Sequence, residues 1–217
     1  MDNEGQPVDY GIDGPGAVVG FVIAGGLCLA AAAAMLWSSK VGKLRARDEL
    51  IGAIPWRGDE QVLDVGCGRG LLLIAAARRL TSGKAIGVDV WHSRDQAGNH
   101  PEATWANARA EGVAGRIEIR DGDARELPFA NDSFDVIVSS LVIHNIWGSN
   151  ERARALREIA RVLKPGGHVA LLDVAYTHEY ACILRQQNLQ DVRRSSPRFL
   201  FLAPARIVTA RKPASTT

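Results

Sequence analysis

The sequence contains few cysteines and almost no excess of either charge. Three of its 217 residues are cysteine, and these three, Cys28, Cys67 and Cys182, form no CxxC pair. Neither a disulfide framework nor a metal centre is therefore predicted. The formal net charge of +2 gives no overall basic field of the kind that marks nucleic-acid-binding proteins. The length suits one core-forming domain with a short extension.

Charged residues are missing from one long stretch, between Gly14 and Trp37. Residues 17–37 are nearly all apolar, and about 20 such residues in a helix span the hydrocarbon core of a bilayer. Acidic residues precede the stretch and basic residues follow it, so the positive-inside rule places its carboxyl-terminal side in the cytoplasm. We predict a single-pass membrane protein with an acidic tail over residues 1–16 and an anchor over residues 17–37. A buried alanine-rich helix and a cleaved signal peptide are the alternatives, and the acidic amino terminus disfavours the signal peptide.

After a linking helix within residues 38–60, the chain alternates between short apolar runs and helical patterns. The predicted strands are 61–65, 85–90, 116–120, 134–139 and 168–174, and the predicted helices are 71–80, 101–112, 150–163 and 177–188. Two closing strands, 192–201 and 206–211, return antiparallel, and residues 213–217 form a frayed tail. This alternation indicates a parallel sheet that is covered on both faces, with ligands at the carboxyl ends of its strands.

The stretch VLDVGCGRG places three glycines between a strand and a helix. Gly66, Gly68 and Gly70 stand where a backbone approaches a ligand closely, and the alternative is a tight turn without a ligand. A dinucleotide fingerprint needs a glycine at position 71, where this sequence has Leu71. The spacing is G-x-G-x-G, preceded by Asp64.

Two acidic residues follow the next two predicted strands. Asp89 ends the second strand, where a carboxylate can accept hydrogen bonds from both hydroxyls of a ribose. Asp123 follows the third strand in DGDARELPF, where it can accept from an exocyclic amino group while the Ala124 N–H donates to a ring nitrogen. Alone, Asp123 is typical of a turn, but with Asp89 and the glycines it favours an adenine contact.

The motifs VLDVGCGRG, GVDVW, GDARELPF, NDSFDVIVSS and LKPGGHVALLD together resemble the class I S-adenosylmethionine-dependent methyltransferases. The resemblance covers residues 61–212 and implies a Rossmann-like α/β fold, whose seven-stranded, mostly parallel sheet has the order 3-2-1-4-5-7-6 with strand seven antiparallel. It also implies S-adenosyl-L-methionine as cofactor, with S-adenosyl-L-homocysteine as product. The predicted cofactor-binding residues are Asp64, Gly66, Gly68, Gly70, Asp89, Val90, Asp123, Ala124 and Ser140.

The loop WHSRDQAGNH, residues 91–100, is longer than the family commonly has after strand two. Its Trp91, Asp95, Gln96 and Asn99 are candidates to line the site, and Trp91 is our candidate for an acceptor contact. The alternative is a solvated loop without a role in binding.

The acceptor side is predicted after strand four, in SSLVIHNI. His144 is the candidate general base because histidine has a suitable pKa, although a histidine here can also simply pack or cap. Asn145 is a second candidate for an acceptor contact.

The predicted acceptor is a small molecule or a lipid-like compound. The N/D-P-P-Y/F motif of nucleobase methylation is missing after strand four, so nucleic acid is not expected. Two other functions remain open, namely a nicotinamide-dependent oxidoreductase and a membrane-tethered protein that binds S-adenosylmethionine without turnover.

Overall fold

The computed structural model describes residues 15–37, 41–91, 99–200 and 203–215. The first element is the apolar helix α1, Pro15–Trp37. Within it, Gly16–Met35 is long and apolar enough to cross a membrane, and none of this stretch is buried inside the protein. The predicted acidic tail lies almost wholly outside the described residues.

The remaining elements alternate as predicted. The strands are β1 Gln61–Val65, β2 Lys84–Asp89, β3 Ile117–Asp121, β4 Phe134–Ser140, β5 Leu163–Asp173, β6 Gln190–Arg194, β7 Arg198–Leu200 and β8 Ala203–Arg211. The helices are α2 Lys43–Gly52, α3 Leu71–Ala77, α4 Pro101–Ala110, α5 Ser149–Val162 and α6 Thr177–Gln186. Short 3-10 turns occur at Ala114–Arg116 and Ile143–Asn145.

The strands form one sheet in the order β3-β2-β1-β4-β5-β8-β6, with β7 paired to β8. Strands β1 to β5 are parallel, and β8 is antiparallel to both β5 and β6. The predicted order is confirmed, with β8 as the seventh strand of the family pattern. Because β1 to β5 are parallel, their carboxyl ends lie along a single edge, which we call the carboxyl edge.

The predicted strand over residues 192–201 is wrong as one strand, since β6 and β7 are separate elements. Pro197 lies between them and has no N–H to donate to a strand ladder. Residues 201 and 202 lie outside the described residues. Strand β5 also begins at Leu163, earlier than predicted, because the LKPGG segment already pairs Leu163 with Phe134.

Two hydrophobic clusters cover the two faces of the sheet. Val62 of β1 belongs to the cluster beneath α2 and α3, whereas Leu63 belongs to the cluster beneath α5 and α6. This alternation is what a strand buried on both faces requires. Helix α2 buries Leu50 and Ile51 in the first of these clusters, so it is part of the domain core.

Candidate functional site

A cavity of about 790 Å³ opens at the carboxyl edge of the sheet. Its volume lies within the range typical of small-molecule sites. The predicted residues that line it are Asp64, Gly66, Gly68, Gly70, Asp89, Val90, Asn99, Asp123, Ala124, Ser140 and Asn145. Trp91 and His144 are not among the described residues that line it. The cavity therefore unites every cofactor residue predicted from the sequence.

The glycine loop has left-handed backbone at all three glycines, with φ of 73° at Gly66, 48° at Gly68 and 88° at Gly70. A Cβ on Gly66 would lie 2.3 Å from a side-chain carbon of Val142. The N–H of Gly66 also donates to the Val88 carbonyl at 2.8 Å. The packing of Val142, in the loop after β4, therefore requires glycine at position 66 whether or not a ligand approaches the backbone.

Helix α4 holds the same loop from the other side. Thr104 Oγ1 donates to the Gly68 carbonyl at 2.6 Å, and Asn107 Nδ2 donates to the Arg69 carbonyl at 2.9 Å. Sequence reasoning missed both side chains. Their spacing of three residues on one helix face was the available signal.

Asp89 stabilises the backbone around the site and is also a candidate cofactor-binding residue. Its Oδ2 accepts from Gly68 N at 2.8 Å, and its Oδ1 accepts from Trp91 N at 2.8 Å and from Asn99 Nδ2 at 3.2 Å. A carboxylate offers about four acceptor positions. Three donors within the protein already use most of that capacity.

Asn99 supplies a further acceptor next to Asp89. Its side-chain amide nitrogen faces the Asp89 carboxylate, which fixes Oδ1 as the outward acceptor. That Oδ1 is buried and has no hydrogen-bond partner. An unpaired buried acceptor that lines a cavity fits a ligand with neighbouring hydroxyl donors, as a ribose has.

Asp64 is buried at 2% exposure at the end of β1, and its Oδ2 has no hydrogen-bond partner. Burial raises the pKa of this carboxyl from 3.8 to about 8, and the neighbouring Asp89 charge acts in the same direction. A cationic ligand would favour the ionised form and lower this pKa again. The position therefore suits the positively charged end of a ligand.

Asp123 lines the cavity with its carboxylate already paired. Arg125 Nη2 lies 2.6 Å from Asp123 Oδ2, and the Arg125 backbone N–H donates to Oδ1 at 2.8 Å. Hydrogen bonds from Arg125 hold the pKa of Asp123 below its usual range. An adenine amino group would therefore share this carboxylate with Arg125, a residue that sequence reasoning did not select.

The described residues that follow β2 lie in two places, with Trp91 at the edge of the sheet and Asn99 in the cavity lining. The Trp91 indole donates to Asp121 Oδ1 at 2.8 Å, which holds the ring against the end of β3. Asp95 and Gln96 lie outside the described residues. Of the four candidates in this loop, the structure places Asn99 in the cavity lining.

Three residues other than glycine adopt left-handed backbone just after parallel strands at the carboxyl edge. They are Trp91 with φ of 56°, Leu141 with φ of 58° and Tyr176 with φ of 57°. Such conformations cost of order 1 kcal/mol or more each and cluster at functional sites. Their placement after β2, β4 and β5 marks the same edge that holds the cavity.

His144 faces β5 and contacts a buried carboxylate. Its Nδ1 lies 2.5 Å from Asp173 Oδ1, and its backbone N–H donates to Asp173 Oδ2 at 3.1 Å. Tyr180 Oη donates to the same Oδ2 at 3.0 Å. A carboxylate beside Nδ1 favours a proton on that nitrogen, which leaves the Nε2 lone pair as acceptor. Asp173 and Tyr180 were not selected from the sequence.

Helix α2 contributes an unanticipated wall to the cavity. Lys43, Leu44 and Arg47 all line it from the first turns of this helix. The sequence predicted only a helix that links the anchor to the domain over this segment. Its participation depends on how α2 packs on α3, which local sequence does not reveal.

The comparisons with known proteins agree with this geometry. A family model described as a methyltransferase domain matches residues 63–171. The chain is 35% identical over 130 residues to methyltransferase GfsG of Streptomyces halstedii, covering 60% of this chain and 43% of that protein. It is 34% identical over 121 residues to the ubiquinone/menaquinone biosynthesis C-methyltransferase UbiE of Geotalea daltonii, covering 55% of this chain and 48% of that protein. The chain thus spans less than half the length of these curated relatives.

Solved structures share the fold. The [4+2]-cyclase SpnF matches with a TM-score of 0.64 and 21% identity, covering 79% of this chain and 81% of that one. The YcgJ protein of Bacillus subtilis matches with a TM-score of 0.62 and 18% identity, covering 79% and 99%.

S-adenosylmethionine fits the donor-binding residues. The open glycine backbone, the unpaired Asn99 Oδ1 and the unpaired Asp64 Oδ2 suit its hydroxyl and cationic groups. Because the family model covers half of the chain and the sheet has the family order, the chain belongs to the class I methyltransferases that use S-adenosyl-L-methionine as methyl donor.

Proposed function

We propose that this protein is a membrane-tethered methyltransferase that transfers a methyl group from S-adenosylmethionine to a small-molecule or membrane-associated acceptor. The observation that carries the proposal is that one cavity contacts two sets of residues. The predicted donor residues lie on one side, and Lys43, Leu44, Asn145 and Trp147 lie outside that set. The second set provides surface for an acceptor beside the donor.

The cofactor supplies the reactive methyl group on a sulfonium, so the protein mainly positions the two reactants. The glycine loop would hold the donor through the close approach of its backbone, because the N–H groups of its three glycines already donate within the protein, and Asp89 would add its carboxylate. Val90, which lines the cavity and is 44% exposed, offers an apolar face for the adenine ring. Asn145 would orient the acceptor from the loop after β4.

His144 is the proposed general base for a hydroxyl or carbon-acid acceptor. Asp173 is its proposed positioning residue: Oδ1 lies 2.5 Å from Nδ1, which makes no hydrogen bond, and a carboxylate so close would favour a proton on Nδ1 and leave Nε2 to receive the acceptor's proton. The His144 side chain is 24% exposed and adjoins Asn145, which lines the cavity.

The names of the relatives support a small, partly apolar acceptor. One relative is a 27-O-demethylrifamycin SV methyltransferase from Amycolatopsis mediterranei, 34% identical over 131 residues. Another is a 2-phytyl-1,4-beta-naphthoquinone methyltransferase from Arabidopsis thaliana, 35% identical over 125 residues. Both names give a small organic molecule as acceptor, and the second carries a phytyl chain.

Helix α1 supports the membrane-tethered part of the proposal. Its apolar stretch Gly16–Met35 has no contact surface buried in the domain, in contrast to what a core helix would show. Basic residues follow it, so the positive-inside rule puts the catalytic domain in the cytoplasm. We therefore propose a single-pass membrane protein.

A second candidate function is a tethered protein that binds S-adenosylmethionine without methyl transfer. Two observations favour keeping it. His144 is not among the described residues that line the cavity, and a [4+2]-cyclase shares this fold. A nicotinamide-dependent oxidoreductase is disfavoured by Leu71, which replaces the third glycine of the dinucleotide fingerprint.

The test is a transfer assay with methyl-labelled S-adenosylmethionine and the detergent-solubilised full chain. Membrane lipids and soluble metabolites from a native extract are supplied as separate acceptor fractions. We expect label in at least one fraction, and the Asp89→Ala variant at limiting cofactor serves as the matched control. Label in soluble products alone would remove the membrane-associated acceptor. No label above the control, with the donor still bound, would leave the second candidate function.

A further inference from the structure

The chain enters the domain at the edge of the cavity. Helix α2 begins at the carboxyl edge, where Lys43 and Arg47 line the cavity. Just beyond its other end, Ile54 lies beside His168 and Arg193 at the opposite edge of the sheet. The helix therefore runs the length of the strands, and its membrane-proximal end is the end that forms the cavity wall.

The length of the chain limits how far the cavity can lie from the membrane. Only five residues separate Trp37, the last residue of α1, from Lys43. Even a fully extended segment of this length spans roughly 20 Å. The polar headgroup layer itself is several ångströms thick on each side of the hydrocarbon core. Lys43, and with it the α2 wall of the cavity, is thus held within roughly 20 Å of the end of α1 in any orientation of the domain.

The rim carries the residue types that favour a membrane interface. Trp147 is 95% exposed, which is unusual for a tryptophan, and it lines the cavity together with the exposed Leu44 and Val90. Tryptophan is enriched at the level of the lipid headgroups. An exposed apolar group beside a binding cavity commonly marks an interaction surface.

Cations accompany these apolar residues on the α2 side of the rim. Lys43 and Arg47 are four residues apart, so they lie on one face of the helix. The Arg47 side chain is 21% exposed, and its Nη2 also lies 2.7 Å from Oδ1 of the exposed Asp48. Basic side chains near a cytoplasmic leaflet are attracted to its anionic lipids.

We propose that the rim formed by Lys43, Leu44, Arg47 and Trp147 docks on the anionic surface of the membrane that holds α1. The docked cavity opens onto the headgroup layer, and the acceptor reaches the donor from the bilayer. This inference rests on the proposed function in so far as α1 is a membrane anchor. It adds a second, interfacial contact that fixes the orientation of the domain.

The experiment places the full chain in nanodiscs of phosphatidylcholine and phosphatidylglycerol whose acyl chains carry bromine near the headgroups. The signal of Trp147 is the fluorescence of the wild type minus that of Trp147→Phe, which cancels Trp37 and the other tryptophans. Trp105→Phe, which removes a partly buried tryptophan of α4, gives the matched control difference. We expect at least twofold quenching of the Trp147 signal by bromine and little change in the Trp105 signal.

Charge reversal tests the role of the cations. The double variant Lys43→Glu with Arg47→Glu is expected to remove most of the bromine quenching of Trp147. Arg193→Glu makes the same kind of change on an exposed residue at the opposite edge and should leave the quenching unchanged. Raising the salt concentration should also reduce the bromine quenching of Trp147 in the wild type, because salt screens the attraction between the cations and the anionic lipids.

Equal Trp147 fluorescence in brominated and unbrominated discs, with unchanged accessibility to aqueous iodide, would overturn the docking proposal. Binding of S-adenosylhomocysteine is titrated in the same discs. If S-adenosylhomocysteine binds but Trp147 is not quenched, the docking proposal fails and the proposed methyltransferase function stands. Quenching without donor binding supports the docking and removes the proposed methyltransferase function alone.

Discussion

The two sides of the cavity differ in how far apart their residues lie in the sequence. The donor side, formed by the glycine loop, the end of β2 and helix α4, comes mostly from residues 64–107, with Asp123 and Ala124 added from the loop after β3. The acceptor side combines α2 at residues 43–47 with the loop after β4 at residues 141–147. Local motifs therefore describe the donor side well, whereas the acceptor side exists only once the sheet has formed.

The two sides also differ in what they leave unsatisfied. The donor side buries two polar atoms without hydrogen-bond partners, Asp64 Oδ2 and Asn99 Oδ1, and has a glycine that cannot accept a side chain, whereas the loop after β4 buries one such atom, His144 Nδ1. The acceptor side instead exposes apolar surface at Trp147. Substitutions on the donor side should therefore change stability and cofactor affinity, and substitutions on the acceptor side should change turnover.

The largest effect is expected from Gly66→Ala. The added Cβ would collide with Val142 and would also force a left-handed backbone on alanine. We expect a loss of roughly 2–5 kcal/mol in the free energy of unfolding, measured by denaturant titration. Gly112→Ala is the matched control, because Gly112 has φ of 69° but nothing within 4 Å of its Cβ. Equal losses in the two variants would show that the contact with Val142 is unimportant.

The acceptor side is tested next by His144→Ala. Loss of a general base should lower turnover in the labelled-methyl assay by about 100-fold. The affinity for S-adenosylhomocysteine should stay within about twofold, because His144 is not among the described residues that line the cavity. Asp173→Asn should lower turnover less, since it only positions the ring. Unchanged turnover in His144→Ala would remove the residue from the mechanism.

Asp89→Ala should weaken binding of S-adenosylhomocysteine by roughly 1–3 kcal/mol, measured by calorimetry. The substitution removes a carboxylate that accepts from Gly68, Trp91 and Asn99. Asp121→Ala is the control, because Asp121 pairs with Asp89 in strand register and also bonds to Trp91. Comparable weakening in both variants would indicate a general effect of Trp91's loop.

A further prediction concerns the pH dependence of stability at Asp64. Its pKa is about 8 in the folded protein and near 3.8 when unfolded, so the folded state holds an extra proton between these values. Stability therefore falls as the pH rises through this window and levels off above it. Asp64→Asn should gain at least about 1 kcal/mol relative to the wild type between pH 5 and pH 8. A constant difference across this range would contradict the raised pKa.

The sequence predicted the strand order, and it predicted candidate donor residues that line one cavity, because both follow short patterns. Gly66, Asp89 and Asp123 stand at the carboxyl ends of strands that could be recognised individually. The contact between His144 and Asp173 joins two strands across the sheet, so it required the register of β4 and β5. The split between β6 and β7 depended on Pro197, whose effect on the ladder was visible in the sequence but not used.

The position of α2 was the least predictable feature. Its apolar residues indicated a helix, but no local pattern shows that Lys43 and Arg47 turn towards the cavity. That orientation follows from burial of Leu50 and Ile51 against α3. The donor side can therefore be predicted from local sequence patterns, whereas the acceptor side depends on contacts between residues far apart in the sequence.

The most direct test of the account is a calorimetric comparison of S-adenosylhomocysteine and NAD with the full chain in detergent. The unpaired acceptors on the donor side and Leu71 in the glycine loop predict binding of S-adenosylhomocysteine at one site per chain and no binding of NAD. Binding of NAD without binding of S-adenosylhomocysteine would contradict the account.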